Sequence, residues 1–374
     1  MPKPIGRFPR VISFMDEGVP SPHWRIVAPF TRLATVGYPV SVFPISETDK
    51  VRMQDVDVLV LYHWNCLNPT ALAAFLDDLR RHRIGLVYDT DDDLFNMPTS
   101  WLAEADETAV QAHLTRAAST RYLAQAADVV TASTAYLAEQ MRVYNPRVQV
   151  LPNLIDPTAW ALPGGTSAHP PTSRLTVGVH GSPSHLDDWS ILAKLFPILA
   201  ERYPELTFVT AGFCPPYLED LGLGKRLVKL PWVALDQYKK NVASIDIALC
   251  PLPDTPFNRA KSPIKWIESS LCGAAVVASP TVYGEVIRPG ETGYIANDLD
   301  EWVRYTSMLV ENTALRKGIG RRAQRDVLQR HSLANPVELK KRMEVYRMAW
   351  ERATKTPSEP RGGGHPIPQP VGVT

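Results

Sequence analysis

The stretch IALCPLPDTPFNRAKSPIKWIESSLCGAAVVA, residues 247–278, decides the architecture. It opens on four apolar residues, Ile247–Cys250, and closes on four more, Ala275–Ala278, with a helical pattern between them. Short unbroken apolar runs read as strands buried on both faces, and two of them joined through a helix run parallel. Ser262 followed by Pro263 reads as an N-cap and first helical residue, and Gly273 as the residue that ends the helix. Ile264, Ile267 and Leu271 recur at helical spacing and supply the buried stripe of a helix over Pro263–Cys272.

The same alternation extends in both directions. Upstream, strands are predicted at Val11–Phe14, Val40–Phe43, Val58–Leu61, Ile84–Tyr88, Val129–Ala132 and Val148–Leu151. Helical patterns fall between them at Ile26–Val36, Thr70–His82, Glu107–Ala126 and Thr134–Val143. The segment Pro157–Ser173, rich in proline and glycine, interrupts the series as a linker. It resumes with strands Leu175–Val179, Thr207–Ala211 and Leu227–Lys229, and helices near Asp187–Arg202 and Leu235–Ala243. Helical patterns then run to Trp350, and a Pro/Gly-rich tail follows. The expectation is an α/β chain of two doubly wound parallel-sheet domains in series, residues 1–157 and 174–332. Residues 158–173 link them, 333–354 form a helix returning to the first domain, and 355–374 are a disordered tail. A ligand cleft is expected between the domains, where the carboxyl ends of both sheets meet.

Composition agrees with a globular chain of two domains. There are 374 residues, 45% hydrophobic and 21% charged. Lys plus Arg number 40 against 39 Asp plus Glu, a net charge of +1 that argues for neither nucleic acid nor an acidic membrane as a general partner. Cys66, Cys214, Cys250 and Cys272 form no C-x-x-C pair and read as buried reduced thiols. No run approaches 18 apolar residues and the first residues lack a signal-peptide pattern, which favours the cytoplasm and leaves peripheral membrane contact open.

The chemistry concentrates at the start of the 263–272 helix. Arg259, Lys261 and Lys265 crowd its positive end, where acidic side chains are normally preferred by about 0.3–1 kcal/mol each. An anion held by helix N–H groups and lysine charge would resolve that conflict. The alternative is a solvated basic turn with Lys265 paired to Glu268 one turn on.

These residues carry a resemblance. Leu230–Ser279 is similar to the donor-binding core of GT-B glycosyltransferases of the large GT4-like group, which have two Rossmann-like domains. The likeness extends to Val150–Asp156, similar to the family's "PNGvD", and to Leu175–Gly212; it spans most of residues 125–335. It implies transfer of a hexose-type sugar from a nucleoside diphosphate donor to an acceptor hydroxyl, with retention of configuration. Glu268 matches the family glutamate that holds the nucleotide ribose. Lys261 and Lys265, with Arg259 and Ser262 at the same turn, would face the diphosphate, and Gly181 and Ser182 would border it. His185 would contact phosphate or sugar, or else be a surface capping histidine. A second family glutamate is replaced here by Ala260, which points to Asn258 as the donor-sugar contact. No metal or cofactor is implied. The acceptor stays open among a polysaccharide, a lipid-linked oligosaccharide, a protein and modified DNA. Rival readings are a catalytically silent sugar-nucleotide or glycan-binding module and a nucleotide-sugar epimerase.

In the first domain Asp89, Asp91, Asp92 and Asp93 end a buried strand, and crowded carboxylates need a raised pKa, a cation or N–H donors. Three readings stand: a capped turn, a D-x-D metal site, or a catalytic carboxylate. Aligned with the family, Asp91 falls where relatives carry a functional histidine, with Asp92 next in line. His23 and Arg25 after the first strand, and His63 and Trp64 after the third, are candidates for acceptor or donor contacts at the cleft.

Overall fold

A computed structural model describes residues 8–15, 23–63, 69–97, 107–160 and 174–355. Trp64, Cys66, residues 161–173 of the expected linker and the tail from 356 lie outside the described residues. The chain divides into two units. The first comprises residues 1–156, the short piece Ala260–Ser262 and residues 333–374; the second comprises 157–259 and 263–332.

The first unit holds β1 (Val11–Met15), α1 (Ala28–Thr35), β2 (Val40–Pro44), β3 (Val58–Tyr62), α2 (Pro69–His82) and β4 (Gly85–Thr90). It continues through α3 (Glu107–Ala126), β5 (Val129–Ala132), α4 (Ala135–Met141) and β6 (Val148–Val150). Its six strands are parallel, in the order β2-β1-β3-β4-β5-β6. Successive strand residues point to opposite faces, and each face has its own core. Ile12, Phe14, Leu59, Leu61, Leu86 and Tyr88 pack with Phe75, Leu76 and Leu79 of α2. Val11, Val58, Val60 and Val87 pack on the other side with Phe30 and Leu33 of α1.

The second unit holds β7 (Thr176–His180), α5 (Leu192–Arg202), β8 (Thr207–Gly212), α6 (Pro216–Glu219), β9 (Leu227–Pro231), α7 (Leu235–Ala243) and β10 (Ile247–Cys250). There follow α8 (Pro256–Ala260), α9 (Ile264–Leu271), β11 (Ala275–Ala278), β12 (Tyr294–Ile295), α10 (Leu299–Glu311) and α11 (Thr313–Arg330). Its parallel sheet runs β12-β11-β10-β7-β8-β9. Val177, Val179, Phe208, Ile247, Leu249 and Val277 meet Leu195, Phe196 and Leu199 of α5. After Ser332 the chain rejoins the first unit as α12 (Pro336–Lys355), whose Leu339, Met343, Tyr346, Ala349 and Trp350 complete the core shared with α1.

Three details differ from the sequence expectations. The helix expected from Pro263 begins one residue later, because Pro263 has ψ 33°, and Ser262 does not cap it. Gly273 does end that helix, with φ +81°. The helix expected from Asp187 starts at Leu192, after a tight turn at Pro183–His185. The two-residue strand β12 was too short to leave a pattern.

Gly85 opens β4 where α12 passes over it: a Cβ there would lie 2.6 Å from the Ala349 carbonyl carbon. The three nearest atoms, from Ala349 and Trp350, are all backbone, so none yields by changing rotamer. Gly85→Ala is expected to lower the stability of the full chain by about 1–3 kcal/mol by forcing α12 off the sheet. Denaturant unfolding compared with the parent chain measures it.

Candidate functional site

In the second sheet the winding reverses between β7 and β10, with β8 and β9 laid to one side and β11 and β12 to the other. Ligands of doubly wound sheets bind at the carboxyl end of such a strand pair. Here β7 ends at His180 and β10 at Cys250. A Cβ on Gly181 would come 2.7 Å from Cδ2 of His185, so glycine lets the imidazole lie against the loop. Gly212, at φ +98°, ends β8 with its Cβ position 2.4 Å from the Gly181 carbonyl oxygen, and only glycine fits.

Beside this edge a polar network is buried. Tyr238 of α7 donates to Glu268 Oε2 at 2.9 Å, and Lys265 donates to the same oxygen at 3.2 Å and to the Tyr238 hydroxyl at 3.1 Å. His180 places Nδ1 2.8 Å from the Tyr238 hydroxyl and Nε2 2.7 Å from Ser269 Oγ. One proton assignment satisfies every bond: neutral His180 donates from Nδ1 to Tyr238 and accepts from Ser269 at Nε2. Burial first, then the positive charge of Lys265, pushes the His180 pKa well below its ordinary value, which keeps it neutral. Burial, then the Glu268 charge, pushes Tyr238 well above its own, which keeps it a donor. Both bonds to Glu268 fall on Oε2.

Three sequence expectations need correction here. The cations of the turn are not without acidic partners. Arg259 is exposed and forks onto Asp254, Lys261 lies 3.6 Å from Asp92, and Lys265 pairs with Glu268 as the alternative reading had it. Ser262 groups with the first unit, where its hydroxyl accepts from Asn153 Nδ2 at 2.9 Å. His185 is no surface cap: it is 9% exposed, stacks on Trp189 and donates from Nδ1 to Asp188 at 2.7 Å. Ser182 pairs with Ser184. Asn258 is buried and donates to the other Asp188 oxygen at 2.7 Å.

In the first unit the winding reverses between β1 and β3, and the acidic cluster sorts itself near their carboxyl ends. Asp89 receives Nε and Nη2 of Arg25 and the Thr131 hydroxyl. Arg25 also donates to the Leu151 carbonyl and to Asn153 Oδ1. The side chain of Arg25 has no exposed surface, so it clamps the strand ends together and is not presented to a ligand, which corrects the expectation for it. Burial opposes its charge, and the Asp89 carboxylate more than restores it, raising the Arg25 pKa. Asp93 closes a turn by accepting from the Phe95 amide and Asn96. Asp92 faces Lys261. His23 meets Trp24 edge to face.

Asp91 has the more unusual setting. Tyr62 donates to its Oδ1 at 2.8 Å, Asn153 approaches its Oδ2 at 3.4 Å, and His63 Nε2 stands 3.8 Å away while bonding Thr90 Oγ1 at 3.0 Å. Burial, then the neighbouring Asp92, pushes the Asp91 pKa up despite His63, Arg25 and Tyr62. Burial lowers that of His63 against the pull of Asp91. His63 sits at φ +43°, a left-handed conformation that non-glycine residues adopt at a cost, stacked on the Tyr62 ring. Two polar groups with pKa values pushed toward their neutral forms at a sheet's carboxyl edge are the makings of acid–base chemistry. Among the described residues no group of three His, Cys, Asp or Glu side chains is placed to hold a metal ion, and no helix is long and apolar enough to cross a membrane.

Sequence reasoning missed Tyr238, His180, Asn153, Tyr62 and Asp188. His180 and Tyr62 carried one usable signal, a polar group at the last position of a buried strand. Asn153 lies in the Val150–Asp156 motif matched above, while Tyr238 and Asp188 come from a helix and a loop with no distinctive spacing.

Two parallel sheets of this winding, each with its polar residues at the carboxyl edge, define the GT-B architecture. Solved structures agree on the fold. Anabaena HepE in complex with UDP and glucose superposes with a TM-score of 0.62 at 16% identity, over 91% of this chain and 99% of that one. Sucrose-phosphate synthase from Thermosynechococcus elongatus gives 0.62 at 12%, over 91% and 99%. A variant of S. aureus TarM in complex with fondaparinux, α-GlcNAc-glycerol and UDP gives 0.54 at 11%, over 83% and 58%. A search of curated proteins by sequence found no match. Residues 174–312, in the second unit save for Ala260–Ser262, match the family model for glycosyl transferases group 1.

The His63 assignment has a consequence for stability. The unfolded histidine takes up a proton as pH falls through about 6.5, while the buried one resists until lower pH, so its contribution is lost below about pH 6.5. His63→Asn keeps a residue that tolerates the left-handed backbone and removes the titration. The parent's melting temperature is expected to fall relative to that variant between about pH 7 and about pH 5. Parallel melts across that range decide it.

Proposed function

We propose that this protein transfers a sugar from a nucleoside diphosphate donor to an acceptor hydroxyl, with a hexose as the sugar and its anomeric configuration retained. The observation that carries the reading is the buried Lys265–Glu268–Tyr238–His180 network, inside the segment that matches glycosyl transferases group 1. The structure of HepE with UDP and glucose supports the donor class.

An ammonium has three N–H donors, and Tyr238 and Glu268 take two from Lys265. The third serves the diphosphate, together with amides of the first turn of α9, which has no side-chain cap. Tyr238 and Lys265 fix the Glu268 carboxylate through Oε2, which leaves Oε1 for the ribose hydroxyls. Helix and lysine charge then stabilise the departing diphosphate, so catalysis needs no divalent metal. Lys265→Ala is expected to weaken nucleoside diphosphate binding about tenfold or more, the worth of a charge-assisted hydrogen bond. Calorimetry on EDTA-treated protein with UDP, GDP, dTDP and ADP measures it. Parent activity that vanishes with EDTA and returns with Mn²⁺ would refute the metal-free reading.

Asp91 is proposed to act in the transfer step. It keeps its proton longer than an ordinary carboxyl, and Tyr62 and Asn153 fix its two oxygens. Its neighbours are otherwise occupied: Asp89 by Arg25 and Asp93 by its own turn. Asp91→Asn retains size and most hydrogen bonding. It is expected to lower kcat by about 10²-fold or more, with donor affinity changed by less than about 1 kcal/mol. Near-normal turnover would move the assignment away from Asp91. Product analysis in the same assay separates a glycoside from the free or epimerised sugar that the rival readings require.

A further inference from the structure

The loops leaving the carboxyl ends of β7 and β10 are tied to each other by one side chain. Asp188, 6% exposed, receives His185 Nδ1 on one oxygen at 2.7 Å and Asn258 Nδ2 on the other, also at 2.7 Å. His185 and Asp188 follow β7, and Asn258 follows β10, so this bridge spans the strand pair where the winding reverses.

The bridge fixes which way the Asn258 amide faces. Its Nδ2 lies 2.7 Å from the Asp188 carboxylate and 3.1 Å from the Pro253 carbonyl, both acceptors. Rotating the amide would put its oxygen against two other oxygens, so the assignment follows from the chemistry of the neighbours. The residue is anchored again through its backbone, whose N–H donates to Thr255 Oγ1 at 3.1 Å. Oδ1 is thereby left as a held acceptor, buried and without a hydrogen-bond partner, in a residue 3% exposed. Buried acceptors are rarely left so, and one that persists calls for an explanation. A ligand group that donates to Oδ1 would supply the missing bond.

We propose that Asp188 is a positioning residue that holds the Asn258 carboxamide oxygen to accept a hydrogen bond from a hydroxyl on the transferred sugar. This rests on the nucleoside diphosphate sugar reading above. The chemistry of the acceptor selects the partner. Diphosphate oxygens at neutral pH carry no hydrogen to give, while a glycosyl hydroxyl does. The ribose also carries hydroxyls, and the experiment separates the two sources. The consequence is specificity: a site with a fixed acceptor discriminates against a donor lacking the matching hydroxyl far more strongly than an apolar pocket would.

The test compares affinity for a nucleoside diphosphate with affinity for its sugar conjugate, on the full chain. Asn258→Leu removes the acceptor at similar volume and is expected to lower affinity for the sugar conjugate about tenfold or more, while affinity for the nucleoside diphosphate stays within about twofold. Asp188→Ala should do the same by releasing the amide. Asp188→Asn, which still offers an oxygen to Asn258, should retain most of the parent preference. Unchanged nucleoside diphosphate binding in each variant also shows that it is folded. A second arm needs no variant: donor analogues with each sugar hydroxyl replaced in turn by hydrogen are tested on the parent chain, and one of them must lose about tenfold or more. The proposal is overturned if no analogue loses affinity, if Asn258→Leu keeps the parent preference, or if both ligands weaken together, which would place the contact at the ribose. A parent chain that binds none of the nucleoside diphosphates or their sugar conjugates would remove the underlying reading as well, while one that binds nucleoside diphosphate with no gain from the sugar would overturn this proposal alone.

Discussion

A parallel sheet covered by helices on both faces has little room for a polar side chain whose bonds the ladder does not satisfy. Its strands here are filled with valine, leucine, isoleucine and alanine, and each of the two faces of the first sheet closes a separate core. Polar groups are therefore driven to the strand ends, where the backbone leaves the sheet and can turn to meet them. The candidate site residues of both units follow from that restriction. His180 ends β7, while Asp89 and Asp91 stand at the end of β4 and His63 follows β3.

Burying charge at such an edge is costly unless each group is paired and its remaining bonds are made. Arg25 and Asp89 meet both conditions. The guanidinium forks onto the carboxylate and reaches the Leu151 carbonyl and Asn153, and the carboxylate takes Thr131 as well. Asn153 then joins this clamp to Asp91. A structural ion pair and a carboxyl suited to proton transfer thus share one hydrogen-bond framework. Rigidity at Asp89 supports the placement of Asp91.

Electrostatics in the second unit follow the same logic. The conflict suggested by three cations beside a helix start is largely met from within the protein, by Asp254, Asp92 and Glu268. What distinguishes Lys265 from Arg259 is environment. Arg259 and Asp254 are exposed, where pairing contributes little. Lys265 and Glu268 lie in a network with Tyr238 and a neutral His180, where charge is less screened and each donor has one direction.

The sequence by itself determined the layers. Largely apolar runs of three to five residues alternating with helical spacing located eleven of the twelve strands among the described residues, and glycine marked the end of α9, because periodicity and turn chemistry are local properties of the chain. It also singled out Lys265, Glu268, Asn258 and Asp91 as candidates, through charge placement and resemblance. It did not reveal what those residues touch. Arg25 was a candidate for ligand contact until Asp89, 64 positions away, claimed it. His185 read as a phosphate or sugar contact or else a surface cap, and its enclosure by Asp188 and Trp189 removes the second reading; Ser262 read as a helix cap until Asn153, 109 positions away, reached it. Hydrogen bonds and desolvation depend on which chain segments the packed sheets bring within about 3 Å, and that distance is set by tertiary structure alone.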